Sequence, residues 1–170
     1  MLFRSRPRDI LFVGPKGLGI LYAARAVGSL IAAGSMALFG PVRHGGRWIF
    51  LGIGIYGIST VLFSGSQLFW FSILMLILTG AGDTISSILR STINQLSTPD
   101  ELRGRMSSIN SIFTSSGPQL GQFESGLVAA WLGAQLSALT GGLATLLVLA
   151  IVAGTFPRMR RFENPHFSTG

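Results

Sequence analysis

Residues 48–82 read WIFLGIGIYGISTVLFSGSQLFWFSILMLILTGAG and contain no Lys, Arg, Asp or Glu. A membrane-spanning helix needs about 20 predominantly apolar residues, so this stretch is longer than a single crossing requires. The small polar turn at 64–67 divides it into two apolar runs. The stretch therefore predicts two consecutive transmembrane helices.

The whole chain, like this stretch, is rich in apolar residues and poor in charged ones. Of its 170 residues 48% are hydrophobic and 11% are charged, and its mean hydropathy is +0.56. Soluble domains carry roughly 25% charged residues, so this chain has too few charges to cover a water-soluble globule. An apolar, charge-poor composition is also the opposite of a disordered chain. Since there is no cysteine, disulfides, thiol catalysis and cysteine-bound zinc are excluded. The composition predicts an all-α membrane protein.

Apolar runs separated by short polar turns predict five transmembrane helices. They lie at about 17–39, 48–63, 68–96, 105–132 and 135–156. Their short connections make neighbouring helices antiparallel and place them in one bundle over 17–157, after an N-terminal segment 1–16 and before a basic tail 158–170. Thr98 is expected to cap the fourth helix, with Pro99 in its first turn.

Basic residues at the helix ends predict the orientation, because cytoplasmic loops carry an excess of Lys and Arg. Five crossings put the termini on opposite sides of the membrane. One side would hold Arg43, Arg47, Arg103, Arg105, Arg158, Arg160 and Arg161, and the other Arg4, Arg6, Arg8 and Lys16. The first side is predicted to be cytoplasmic, together with the C-terminus. The net charge of +7 is thereby explained by topology, and no nucleic-acid partner is expected.

The third span carries polar side chains along one helical face. Thr79, Asp83, Ser87, Arg90 and Asn94 follow one another at steps of three or four residues, which stacks them on one side of a helix. Lipid cannot solvate Asp83 at this depth, so the face must look into protein or a wet cavity. Two interpretations stay open. Asp83 belongs either to a structural charge pair, for example with Arg103 or Arg105, or to an ion- or substrate-coupling site.

The fourth span is the least apolar of the five. Its candidate cavity-lining residues are Ser107, Asn110, Thr114, Gln119 and Gln122. Pro118 predicts a kink near its middle, and Gly117 with Gly121 forms a GxxxG motif that allows close helix approach. Glu124 lies in the same half of the membrane as Arg25, so a pair between these two side chains is one interpretation. A structural role and a functional role both stay open for Glu124.

Three glycines of the second span, Gly52, Gly54 and Gly57, predict close approach of a neighbouring helix.

No nucleophile, histidine and acid are arranged for acyl transfer, and His44 and His166 are isolated near segment ends. We therefore expect neither an enzyme, nor a cofactor, nor a metal site.

Several motifs taken together resemble the major facilitator superfamily. They are GPKGLG at 14–19, RST at 90–92, TPDELRGR at 98–105 and GQFESG at 121–126. Within that superfamily the sequence is most similar to the enterobactin-exporter-like branch, and the likeness runs from residue 9 to residue 161. The first six residues do not resemble the family and are interpreted as non-native sequence.

The resemblance implies that the five spans correspond to helices eight to twelve of a twelve-helix transporter, a partial C-terminal six-helix bundle. It places the 43–47 loop (Arg43, Arg47) and the 99–105 loop (Pro99, Arg103, Gly104, Arg105) in the cytoplasm. Such transporters bind substrate between two six-helix halves, so the partners expected are the bilayer, a small-molecule substrate and a missing N-terminal half.

The hypothesis that follows is a fragment of a secondary active, proton-coupled transporter. It would export a small organic molecule such as a siderophore or drug across the bacterial inner membrane. Glu124 is the first choice for the coupling acid and Asp83 the second, with Arg90 and Arg25 as charge partners. The alternative is a small membrane scaffold or assembly protein without transport activity.

Overall fold

The computed structural model describes residues 15–39, 45–66 and 68–155, and these residues are helical apart from short connections. The helices are α1 Pro15–Phe39, α2 Gly45–Ser64, α3 Phe69–Ser97, α4 Arg103–Leu132 and α5 Ala134–Thr155, with a 3-10 turn at Asp100–Leu102 before α4. Each long helix covers one of the five apolar segments found in the sequence. The fold is all-α, with no strand among the described residues.

Four of the five helices are long and apolar enough to cross a membrane, namely α1, α2, α3 and α5. The fourth, α4, is 30 residues long, but its many Ser, Thr, Asn and Gln side chains make it too polar to meet the same criterion. The crossing of α4 therefore stays a prediction.

The helices pack in an open row rather than around a single centre. In the row α1 packs on α3, α3 on α2, α2 on α5, and α5 on α4. The consequence is that α1 and α4 occupy opposite edges, and α4 makes its main contacts with α5 and the 3-10 turn.

Glycines bring the backbones of α2 and its neighbours into contact. A Cβ at Gly52 would lie 2.8 Å from the Gly82 carbonyl oxygen, and one at Gly57 would lie 2.7 Å from a Leu146 methyl. The predicted close approach is confirmed at these two positions. At Gly54 the nearest atom, a Leu149 methyl, lies 3.7 Å away, which is an ordinary contact, so the third glycine of the set is not required for packing.

The GxxxG motif of α4 is not used for packing within the described residues. A Cβ at Gly117 or at Gly121 would meet nothing within 4 Å. The close approach that the motif allows does not occur between the described helices, because α4 lies at the edge of the row. The helix continues through Pro118, whose missing N–H leaves the carbonyl four residues earlier without its helical donor.

Contacts between the helices fix their relative directions. Along α2, Gly45 faces Ile93 and Gly52 faces Ser86 of α3, so the two helices are antiparallel. On its other side Gly54 faces Leu149, whereas Gly142 faces residue 61, so α5 is also antiparallel to α2. Helices α3 and α5 consequently run in the same direction, and α4 returns from the end of α3 to the start of α5.

Two helix starts differ from the sequence prediction. Thr98 does not cap α4; its hydroxyl donates to the Asn94 carbonyl at 2.6 Å and ends α3. The chain then forms the 3-10 turn, so α4 begins at Arg103 without a side-chain cap. Helix α2 begins at Gly45, which places Arg47 inside its first turn rather than in the preceding loop.

Candidate functional site

An ion pair joins α1 and α3 midway along both helices. The Arg25 Nη2 atom lies 3.1 Å from the Asp83 Oδ2 atom, and the two side chains are 50% and 49% exposed. No other hydrogen bond of the Arg25 guanidinium or the Asp83 carboxylate to a described residue is present. The pair therefore keeps most of its hydrogen-bonding capacity for other groups.

The two backbones touch directly beneath this pair. Gly28 lies against the backbone of Ile77, and Gly80 lies against the backbone of Arg25, so neither position has room for a Cβ. The Ser29 hydroxyl donates at 3.3 Å to the Gly80 carbonyl, across the same contact. The backbone contact brings α1 and α3 so close that the Arg25 and Asp83 side chains meet without spanning a wide space between the helices.

The pair between Arg25 and Glu124, one interpretation of the sequence, does not form in the structure. Arg25 pairs with Asp83, and Glu124 is exposed on α4. The physical reason is the order of the helices, because α1 and α4 lie at opposite edges of the row. For the same reason Asp83 takes its partner from α1 rather than from Arg105 near the start of α4. The side chain of Arg103, the other predicted partner, lies outside the described part of the structure.

The polar face of α3 has a buried part before Asp83 and a more exposed part after it, which we call the outer part. Thr79 is buried and donates to the Met75 carbonyl at 2.8 Å. Beyond Asp83, both Ser87 and Arg90 are exposed, and the Arg90 Nε donates to the Ser86 carbonyl at 3.1 Å. Asn94, which completes the predicted face, is half-buried. The outer part is thus an exposed polar strip running from the ion pair toward the end of α3.

The candidate cavity-lining residues all lie on α4. Ser107, Thr114, Gln119 and Gln122 are exposed and Asn110 is half-buried. Within the described residues they form an open polar surface and not the wall of an enclosed cavity.

The candidate loop residues are only partly described. Arg47, Pro99, Gly104 and Arg105 are exposed. Arg43 lies outside the described residues, as do residues 1–14 and the tail 158–170. Among the residues that the structure describes, no group of three or more His, Asp or Glu side chains could hold a metal ion.

Sequence reasoning missed a buried polar contact at the turn between α2 and α3. Ser72 is completely buried, and its hydroxyl lies 2.9 Å from the hydroxyl of Ser66, which also donates to the Leu68 carbonyl at 3.1 Å. The contact satisfies both hydroxyls where α3 begins. Its only sequence signal is serine at the edge of a polar turn, which many turns share.

Comparisons with known proteins give one relative. The chain is 28% identical over 155 residues to Enterobactin exporter EntS of Citrobacter koseri, and the match covers 87% of this chain and 36% of the relative. No protein-family model matches the chain, and no solved structure matches it. The chain spans about a third of the length of that relative. It is thus an all-α, multi-pass membrane protein with sequence similarity to a bacterial exporter.

Proposed function

We propose that this chain is part of a secondary active transporter that exports a small organic molecule, such as a siderophore or drug, across the bacterial inner membrane. The observation that carries the proposal is the similarity to an exporter along 87% of the chain. In this proposal the chain supplies helices eight to twelve of a major facilitator fold, and the remaining helices, including the whole N-terminal half, supply the other side of the cavity. The C-terminus lies in the cytoplasm.

The direction of α4 supports this proposal. Helices α3 and α5 run the same way and both are apolar enough to span a membrane, so the segment between them has to return across it. Helix α4 is 30 residues long, about 45 Å at 1.5 Å per residue, which is sufficient. A polar helix at membrane depth must face protein or a water-filled cavity. The exposed side chains of α4 are therefore proposed as one wall of the substrate cavity.

Glu124 remains our first choice for the proton-coupling acid. It is exposed on α4 and has no basic side chain within salt-bridge distance among the described residues. Asp83 already has Arg25 as its charge partner, so it stays our second choice for this acid. An acid on the cavity wall can exchange a proton against the substrate as the two halves alternate between inward and outward states.

Efflux from cells expressing the whole transporter tests this assignment. Glu124→Gln should abolish pH-dependent efflux of a labelled catecholate siderophore and of a labelled carboxylate drug, while the amount of protein in the membrane stays unchanged. The matched control is Glu101→Gln, which changes an exposed acid of the 3-10 turn before α4 and should leave efflux intact. Parental efflux with parental pH dependence in Glu124→Gln would contradict the assignment.

A second candidate function is a membrane scaffold or assembly protein. It is favoured by the polar surface of α4, which no described helix other than α5 covers to a large extent. Photo-crosslinking from positions 111 and 115 of α4 distinguishes the two. A scaffold should capture one different protein as its dominant product, whereas a transporter should crosslink to its own remaining helices.

A further inference from the structure

The charges on α1 and α3 leave one positive charge without a carboxylate. Away from the helix ends, the described residues of α1, α2 and α3 carry two guanidinium groups, Arg25 and Arg90, and one carboxylate, Asp83. Arg25 takes the carboxylate, and among the described residues Arg90 has one side-chain hydrogen bond, from its Nε to the Ser86 carbonyl. An unneutralised charge at membrane depth is costly, so a mobile anion would be stabilised beside it.

The geometry of Arg25 leaves room for such an anion. Only Nη2 of its guanidinium contacts Asp83, at 3.1 Å, and half of its side chain is exposed. The other N–H groups have no partner among the described residues. Guanidinium groups bind planar oxyanions through two parallel N–H donors. Asp83 accepts from one of the two Nη2 hydrogens of Arg25, so the second Nη2 hydrogen and the N–H beside it still form an open edge with such a pair.

The site also has a polar approach. Ser87 is one turn beyond Asp83 on α3, Arg90 is one turn further, and all three lie on the exposed strip. Asp83 is the fifteenth of the 28 residues in the span Phe69–Leu96, close to the middle. Protein, water or a ligand must therefore cover this strip, because lipid does not solvate such side chains. In the proposed transporter the strip faces the water-filled cavity, where a ligand can reach it.

We propose that Arg25, Asp83 and Arg90 form a subsite for a singly charged oxyanion, best fitted by a carboxylate group of the transported molecule. Asp83 orients the guanidinium of Arg25, the open edge of Arg25 binds the carboxylate, and Arg90 balances the added negative charge. A monoanion makes the three-residue cluster electrically neutral. This inference names a substrate class for the proposed transporter and so rests on that function.

The absence of cysteine allows the subsite to be probed without transport. In the Ser87→Cys variant of the full chain in native membranes, the single thiol is modified with anionic sulfonatoethyl methanethiosulfonate and with its cationic trimethylammonium analogue. A net unit charge about 8 Å away in water changes the ratio of the two rates about fivefold. We expect the ratio of the anionic to the cationic modification rate at Ser87→Cys to exceed the same ratio for a free thiol in solution about fivefold. Adding Arg90→Gln should return the ratio to that of the free thiol.

Benzoate serves as the carboxylate probe. It should slow modification of the Ser87→Cys thiol, and the uncharged benzamide should not. The Arg25→Lys variant keeps the charge but loses the two-donor edge, so it should retain the reagent preference and lose protection by benzoate. Leu74→Cys, an exposed apolar position on the same helix, should remain unmodified in lipid.

Three results would overturn the subsite: no reaction at Ser87→Cys, no preference for the anionic reagent, or equal protection by benzoate and benzamide. Each leaves the efflux assay untouched. Failure of the subsite is therefore distinguishable from failure of the transporter proposal, which would appear as loss of any efflux dependent on the protein.

Discussion

Two adjacent glycines of α5 give a direct test of how closely α5 packs on α2. A Cβ at Gly142 would lie 2.7 Å from the Val61 Cγ2, 3.0 Å from the Val61 backbone nitrogen and 3.2 Å from the Gly57 carbonyl oxygen. A Cβ at Gly141 would meet nothing within 4 Å. Gly141→Ala and Gly142→Ala are thus the same change, one residue apart, in an open and a closed environment.

The magnitude follows from the contact distances. Restoring an ordinary separation of about 3.4 Å requires α5 to move outward by about 0.7 Å, because Val61 is β-branched and has little rotamer freedom in a helix. Overpacking of this kind costs about 1–3 kcal/mol. Both variants gain the same helix propensity, up to about 1 kcal/mol, so this term cancels in their difference. We expect Gly142→Ala to be less stable than Gly141→Ala by about 1–3 kcal/mol.

Equilibrium unfolding in mixed micelles with increasing dodecyl sulfate measures this difference. Adding Val61→Ala to Gly142→Ala should recover part of the loss, because it removes the nearest methyl but leaves the backbone atoms in place, and a double-mutant cycle gives the coupling between the two positions. Equal stability of the two glycine variants, within about 0.5 kcal/mol, would refute the close packing of α5 on α2.

Three further predictions concern the ion pair, the α4–α5 joint and the buried serines. Asp83→Asn should lower thermal stability in detergent because it leaves Arg25 without its carboxylate, and adding Arg25→Gln should restore part of the loss. Gly133→Ala should destabilise the α4–α5 hairpin by about 1–3 kcal/mol in dodecyl sulfate unfolding, because its φ of 90° and ψ of 158° lie in a region that only glycine adopts readily. Ser72→Ala should cost about 1 kcal/mol in the same assay, since the Ser66 hydroxyl loses a buried partner; unchanged unfolding would contradict each prediction.

Much of the fold could be predicted from the sequence because a membrane helix is defined by local properties. The charge-free stretch at 48–82 and the polar turn at its centre were sufficient to predict α2 and α3, and the helices formed on all five apolar segments. The same local criteria failed at Thr98. A threonine between two helices can cap the start of the second helix or donate to a carbonyl in the last turn of the first. Only the path of the chain decides that Thr98 ends α3 instead of starting α4.

The candidate site divides in the same way. The i, i+4 spacing of Asp83 and Ser87 fixes their common helical face in any fold, and the structure has both at least partly exposed. For α4, residue spacing could not predict which side of the helix packs on α5 and which side is exposed, because polar residues occur on all sides of that helix.

The sequence by itself determined which segments are helices, which of them are apolar enough for a membrane, and how few charges they carry, because these properties depend on residues within one or two helical turns. Only the tertiary structure decided the partner of each charge. Arg25 and Asp83 are 58 positions apart, and they meet because glycines at 28 and 80 let α1 and α3 cross in backbone contact. Glu124 matches Arg25 equally well in charge, but α4 lies at the opposite edge of the row, and an ion pair requires its two atoms within about 4 Å.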